Sequence, residues 1–458
     1  MSLSLERLNA IPADTARIAR ASFPKSTVAM QLRDHLGTLY DNSLFADLFS
    51  PLGPPALAPW RLALICVLQF VAGLTDRQAA DAVRGHLDWK YALGLELTDA
   101  GFHFAVLSDF RERLLTGGLE QQLLDTLLAP CQAQGWVKAG GRQRTDSTHV
   151  LGAIRAMNRL ESIGETLRAA LNALAAAAPD WLVLQVNPDW FDRYSNRVEE
   201  YRLPKGKAAR QEYAEVMGTD GRTLLTAIYN PTAPVWLRQI PAVEILRRVW
   251  VQQFHAPDAP GVAHLRAGAD LPPAARWIHS PYDAEVRYGT KRSTHWAGFK
   301  VHLTETCDPE GVHLITQVQT TAALAGDVTQ VRAIQTELQA KGLAPKTHIG
   351  DAGYTSAEEF VTSRTERGIK LFGPIRKDNQ WQAQAAQGYG LTAFQIDWEQ
   401  HSVTCPQGKQ SRYWKPGLDV CGRAITKAVF HKADCQSCTV DNIHSSVGAI
   451  LRLLQAIV

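Results

Sequence analysis

Two aspartates, far apart in the chain, each sit in or at the end of a strand-like run, a pattern suited to holding a hard divalent cation. The first, Asp146, lies in GRQRTDSTHV (141–150), where a basic lead-in passes into an apolar, β-branched run with Thr148, Val150 and Leu151. The second, Asp351, lies in LAPKTHIGDAGY (343–354), where Thr347, His348 and Ile349 run into Gly350 and a glycine-containing turn. An acid at the C-terminal end of a strand faces the crevice where α/β sheets place ligands. A lone carboxylate buried there is costly unless a cation or a partner neutralises it. The structural alternative at Asp351 is a helix cap or a turn. Two such acids brought together supply the oxygen ligands of a divalent-metal site, where bound ions activate an attacking oxygen and stabilise a leaving one.

The elements around these acids follow from pattern. Phe299, Val301 and Leu303 alternate with Lys300, His302 and Thr304, which marks a half-buried strand; Gly311 turns the chain, and His313–Gln319 reads as its antiparallel partner. Asp327 caps a helix over Val328–Lys341, the Asp351 strand follows, a helix opens at Thr355 or Ser356, and Leu371–Ile375 forms a fifth strand. This order, an Asp146 strand, an insertion, a two-strand meander, a helix, the Asp351 strand and a helix, is the layout of an RNase H-like α/β core. In that layout the first and fourth strands are neighbours, so Asp146 and Asp351 meet.

The remainder of the chain divides around that core. Residues 1–135 read as an all-helical N-terminal domain: a loose lead with a helix near Met30–Tyr40, a connector containing SPLGPPALAP, and helices over Trp60–Ala72, Asp76–Arg84, Phe104–Leu115 and Glu120–Gln134. Gly73 ends the first of these, and Thr75 with Gln78 forms a capping-box pattern that starts the next, giving helix, turn, helix. That motif reads either as a DNA-binding unit, with Arg77 and Arg84 available to phosphates, or as an ordinary bundle. Residues 136–155 and 280–400 form the core, 156–279 a large, mostly helical insertion, and 401–458 a cysteine-containing segment.

Composition sets the limits. The chain has 458 residues, is 45% hydrophobic and 20% charged, and so is globular. A net charge of +3 means that nucleic-acid binding must come from local patches. Arg287, Lys291, Arg292 and Lys300, around the meander, are candidates for phosphate contacts near the acids, with Arg376 and Lys377 behind them; a solvated charged face is the alternative. No apolar run is long enough to span a membrane, and the first residues lack a signal peptide's apolar stretch. Seven cysteines and no secretory signal point to a reducing cytoplasm. Cys405, Cys435 and Cys438 resemble a zinc ribbon with one ligand missing, and neither Cys421 nor His431 has the usual spacing, so zinc is not expected.

The quoted stretches TDSTHV, DAEVRYGTKRSTHWAGFKVHLTETCD and GDAGYTSAEEF, with LSDFRERL in the helical block, resemble bacterial insertion-sequence transposases of the DDE type over about residues 30–438. The resemblance implies an RNase H-like catalytic core, two Mg²⁺ or Mn²⁺ ions, double-stranded DNA as substrate, a homodimer working on paired element ends, and Asp146 and Asp351 as the first and second catalytic acids. The family's third acid is a Glu on a later helix. This chain has Glu358, Glu359, Glu366 and Glu399 after Asp351 and none beyond, and from about Thr439 it departs from the family. The expectation is therefore a C-terminally truncated transposase with no third catalytic Glu and impaired cleavage, or a non-catalytic DNA-binding inhibitor of an intact relative.

Overall fold

The computed structural model describes residues 2–454 except 4–9, 156, 256–262, 274–275, 292, 376–388, 391–392, 419–423, 437 and 439–449. Arg292, Arg376, Lys377 and Cys421 lie outside the described residues.

The helical block begins earlier than its sequence suggests. Helix α1 (Ala13–Ser22) is followed by α2 (Val28–Leu36), which ends at Gly37 rather than running on to Tyr40. The lead is not loose: Ala19 packs with Met30 and Tyr91 in a small core, and the buried Thr15 hydroxyl donates to the Leu95 carbonyl at 2.9 Å. On α1 the buried residues are small, Thr15 and Ala19, so no apolar stripe advertises the contact. Helix α3 (Pro59–Ala72) starts on a proline and stops at Gly73, which takes a left-handed conformation. Thr75 and Gln78 close a reciprocal capping box that opens α4 (Asp76–Gly85), bent by 107° from α3. Short α5 (Leu87–Leu93) and α6 (Ala105–Thr116) complete a core built on Trp60, Leu64, Leu68, Val83, Leu107 and Phe110. Among the described residues no single helix is long and apolar enough to cross a membrane.

Helix α7 (Glu120–Ala133), grouped by sequence with this block, bridges to the sheet: Leu123 packs on the block's core, while Leu128 and Cys131 join Val331, Leu338, Tyr354 and Leu371 in one cluster. The sheet is mixed. Strand β1 (Arg142–Leu151) lies between β3 (Thr294–Thr306), antiparallel, and β5 (Thr347–Gly350), parallel. Strand β4 (Ile315–Ala322) pairs antiparallel with β3, and β6 (Lys370–Phe372) parallel with β5. The meander has one strand more than its alternation suggests, because β2 (Arg287–Lys291) forms a hairpin with the start of β3.

The insertion between β1 and β2 is helical: α8 (Arg159–Ala177), two short helices α9 (Pro179–Val183) and α10 (Asp189–Tyr194), α11 (Lys207–Ile228) and α12 (Pro241–Gln253). Helix α11, the longest among the described residues, has no counterpart among the elements read from sequence, and its interior glycines are the reason. Glycine weakens a helix, but here it admits neighbours. A Cβ on Gly218 would lie 2.4 Å from the Phe254 ring, and one on Gly221 2.1 Å from Trp250.

After the sheet, α13 (Val331–Ala340, between β4 and β5) and α14 (Ala357–Arg367, between β5 and β6) pack on the α7 side. Gln143, Thr145, Ser147, His302, Thr304 and His348 point into that covered side. The alternate residues, Arg144, Asp146, Leu303, Ile349 and Phe372, point the other way, where Phe372 is 57% exposed. Beyond it lie a β7–β8 hairpin (Gln395–Asp397, Ser402–Thr404) and a three-stranded sheet of β9 (Tyr413–Leu418), β10 (Ala424–Val429) and β11 (Ile450–Leu454).

Candidate catalytic site

Strand pairing sets the position of the two aspartates. In the parallel β1–β5 ladder Thr145 is the partner of Gly350, so Asp146 and Asp351 are the next residue on each of two neighbouring strands. Both are exposed at the C-terminal end of that ladder. Each carboxylate is oriented by a nearby backbone amide: Ser147 N–H donates to Asp146 Oδ1 at 2.7 Å, and Gly353 N–H to Asp351 Oδ1 at 2.7 Å. Among the described residues neither forms an ion pair.

Asp327, read from sequence only as a helix cap, is a third acid at the same place. It opens a short 3₁₀ turn before α13. A Cβ on Gly353 would stand 2.8 Å from Asp351 Oδ1 and 2.9 Å from Asp327 Oδ2, so the two carboxylates crowd one point that only a glycine leaves open. Ser147, next to Asp146, donates its hydroxyl to Asp327 Oδ2 at 3.3 Å. Lys300 Nζ neutralises Asp327, 2.8 Å from Oδ1, and also donates to the Ala325 carbonyl at 2.7 Å. The Tyr354 phenol sits among all three acids. Burial pushes its pKa well up, and the charges of Asp327, Asp146 and Asp351 push the same way. Its oxygen is 2.6 Å from His302 Nδ1, while His302 Nε2 is 3.0 Å from the Thr321 hydroxyl; burial holds this imidazole below its ordinary pKa.

A buried polar chain supports the strand ends from below. Thr145 Oγ1 lies 2.7 Å from Thr304 Oγ1 and 2.6 Å from His348 Nε2. On the far side His348 Nδ1 meets Gln335 at 3.1 Å, and Arg367 donates to the Gln335 side-chain oxygen at 2.7 Å. Burial pulls the His348 pKa down to about 4, so the ring is neutral at pH 7. Every link crosses from one element to another, which locks β1, β3, β5 and α13 in register beneath the acids.

The other candidates fall in different places. Lys291 Nζ donates to the Ser147 carbonyl at 3.3 Å, beside Asp146. Lys300 faces Asp327 and is largely enclosed. Arg287 turns back on its own segment, donating to the Ala284 and Val286 carbonyls. In the helical block, Arg84 braces the loop ahead of α6 through Ala100 and Phe102 and pairs with Asp81, while Arg77 stacks over the Phe104 ring at 4.4 Å. Glu359 and Glu366 are held by arginines of the α13–α14 layer, Arg367 and Arg332. Glu399 lies in the β7–β8 turn, its amide bound to Asp397. Cys405 and Cys435 pack in the small core around Val403 and Phe430. Among the described residues no three His, Cys, Asp or Glu side chains are arranged to hold a metal ion.

Residues 19–113, the helical block from α1 to α6, match the family model described as Transposase domain (DUF772). No curated protein matches the chain. No solved structure matches it.

Proposed function

We propose that this chain, whose residues 19–113 form a transposase domain, is a DNA transposase of the insertion-sequence, DDE type. In this reading its sheet is an RNase H-like core that cleaves and transfers DNA strands. The observation that carries it is the parallel pairing of β1 with β5, which sets Asp146 and Asp351 side by side at the end of that ladder, neither in an ion pair among the described residues. The strand order β4–β3–β1–β5–β6, in which β3 runs against the other four, supports the same reading.

The donor set fits a hard cation. Mg²⁺ and Mn²⁺ take carboxylate oxygens, and Mg²⁺ in particular is held by one or two carboxylates together with substrate phosphates and water. Asp146 and Asp351 would hold the ion, which when bound makes a water or a 3′-hydroxyl a stronger nucleophile and offsets charge on the leaving oxygen. The protein's own part is placement. The Ser147 and Gly353 amides aim the carboxylates, Lys300 cancels the charge of Asp327 beside them, and the Thr145–His348 chain keeps the strand ends from shifting. Lys291, at the Ser147 carbonyl, is within reach of a phosphate brought to Asp146.

DNA engagement is assigned to the helical block. Helices α3 and α4, bent by 107° across a glycine turn, have the form of a helix-turn-helix, with Arg77 exposed on α4 while Arg84 is taken up by Asp81 and the Ala100 and Phe102 carbonyls. The expected assembly is a homodimer on paired DNA ends in the bacterial cytoplasm. The second reading keeps this DNA binding without cleavage, making the chain an inhibitor of an active relative. Its support is that Asp327, the third acid nearby, is taken up by Lys300, and that among the described residues no three ligands are arranged to hold a metal ion. Purified protein with Mn²⁺ and a duplex carrying the element ends should nick or cleave it, and Asp146→Asn should not. Binding by both proteins with cleavage by neither would establish the second reading.

A further inference from the structure

The hairpin of β2 and β3 has two unlike faces. Cross-strand partners share a face, so Gly289 and Trp296 lie on one, and Tyr288, Thr290, His295 and Ala297 on the other. The first face is pinned. Trp296 is buried, its indole N–H donates to the Phe299 carbonyl at 3.1 Å, and Gly289 has no Cβ because one would stand 2.5 Å from the indole. The second face is displayed. Tyr288 is 46% exposed and stacks on the exposed His295, ring centres 6.0 Å apart and planes 16° from parallel. His295 is held in that pose by Thr290, 3.1 Å from Nδ1.

Two further rings continue the row inward, tilted by 38° and 50° rather than stacked. The His279 ring lies 6.2 Å from Tyr288, and Trp277 lies 5.8 Å from His279. Four rings thus run from the protein toward solvent and end in an open pair. Inside this ladder Trp277 Nε1 and His279 Nε2 are buried with no hydrogen-bond partner among the described residues, polar atoms for which the protein supplies no mate. The surroundings carry both signs of charge, with Asp283 and Glu285 near Arg287. Arg287 adjoins His279, and Arg248 of α12 is close enough to Arg287 for the two charges to oppose each other.

We infer that the Trp277–His279–Tyr288–His295 ladder is a stacking platform for an unpaired base of single-stranded DNA, with the exposed Arg248 of α12 nearby for the adjoining phosphate. Stacking on aromatic rings next to positive charge is how proteins hold unpaired nucleotides, because every base has a π face. The hairpin joins this platform to the candidate catalytic site, since Lys291 on its opposite face reaches the carbonyl next to Asp146. The inference rests on the proposal that the chain acts on DNA.

The test uses the full chain and two probes, a blunt duplex and the same duplex with a short 3′ overhang carrying 2-aminopurine. With wild type, the overhang probe binds more tightly and its fluorescence is quenched by stacking. Tyr288→Ala should weaken overhang binding ~5- to 150-fold and abolish the quench. Blunt binding should be unchanged, and Tyr288→Phe, which keeps the ring, should behave as wild type. Overhang affinity and quench both unchanged in Tyr288→Ala would overturn the inference, as would equal loss on blunt and overhang probes. If wild type binds neither probe, the proposed function itself fails. If it binds and cleaves in an Asp146-dependent way while Tyr288→Ala is silent, only the platform is wrong.

Discussion

The helical insertion and the sheet end treat carboxylates in opposite ways. In the insertion, Asp220 is closed in by three donors: Trp190 Nε1 at 2.8 Å, Arg193 Nε at 2.9 Å and the Tyr194 hydroxyl at 2.7 Å. Glu165 is likewise held by Arg168 at 2.9 and 3.0 Å, Tyr282 at 2.5 Å and the Val198 amide at 2.6 Å. A carboxylate with its lone pairs filled is a structural joint, with nothing left to offer a ligand. At the sheet end Asp146 and Asp351 are each oriented by an amide and, among the described residues, form no ion pair, so most of their capacity faces outward. Residue type is the same in both regions; the state of the acceptor separates structure from chemistry.

That contrast can be broken from either side. The largest effect is expected at the open acids: Asp146→Asn or Asp351→Asn should lower metal-dependent cleavage on the order of a thousandfold, as removing a preorganised electrostatic group does. Thermal melting should show stability changed by no more than about 0.5 kcal/mol, the range for surface substitutions. A large drop in stability would show that these acids are joints after all. Asp220→Ala should do the reverse, costing ~3–5 kcal/mol in denaturant unfolding because it strands a buried cation and two further donors.

The polar chain beneath the site gives a pH signature. His348 is neutral when folded, with a pKa of about 4 against 6.5 in the unfolded chain. The unfolded state therefore binds more protons between these values. Stability from this group is complete above pH 6.5 and falls as the pH drops toward 4, by up to roughly 3 kcal/mol. Unfolding curves of His348→Gln measured across that window should be flatter than those of wild type; parallel curves would remove His348 from the account. Smaller effects follow. Gly221→Ala should cost ~1–3 kcal/mol by driving a methyl into Trp250, read as a lower unfolding midpoint. Arg77→Ala should reduce the salt-dependence slope of DNA binding by about 1 if that side chain meets a phosphate.

The sequence disclosed what local pattern controls. The α3–α4 corner was legible because its signals are adjacent: Gly73, then Thr75 and Gln78 in a capping box. Strands β3, β4 and β5 were legible from alternation and from the run into Gly350. What escaped depends on partners distant in the chain. Helix α11 was hidden by Gly218 and Gly221, which look like breakers until Phe254 and Trp250 are seen filling the grooves they leave. Asp327 looked like a cap because nothing local links it to Gly353 or Lys300. Lys300 itself was read as a phosphate contact from its polar phase on β3; the fold turns that phase toward Asp327. A signal was available, since an acid in a short Ala-Gly-Asp turn between strand and helix occupies the same end of the sheet as Asp351.

The way the insertion is tied at its base bears on how the sheet assembles. Strands β1 and β3 are separated by the whole helical insertion, and such distant pairing is slow because chain entropy is lost before contacts form. Yet the start of α8 and the segment ahead of β2 are joined directly: Ser162 donates to the His279 carbonyl at 3.2 Å, and Tyr282 bridges Glu165 and Arg168. An insertion that folds on its own core first therefore delivers β1 and the β2–β3 hairpin as neighbours. The search for the register that places Asp146 opposite Leu303 then spans a short gap. Damage to the insertion, though far from the acids, would be felt as a slower route to a correctly paired sheet.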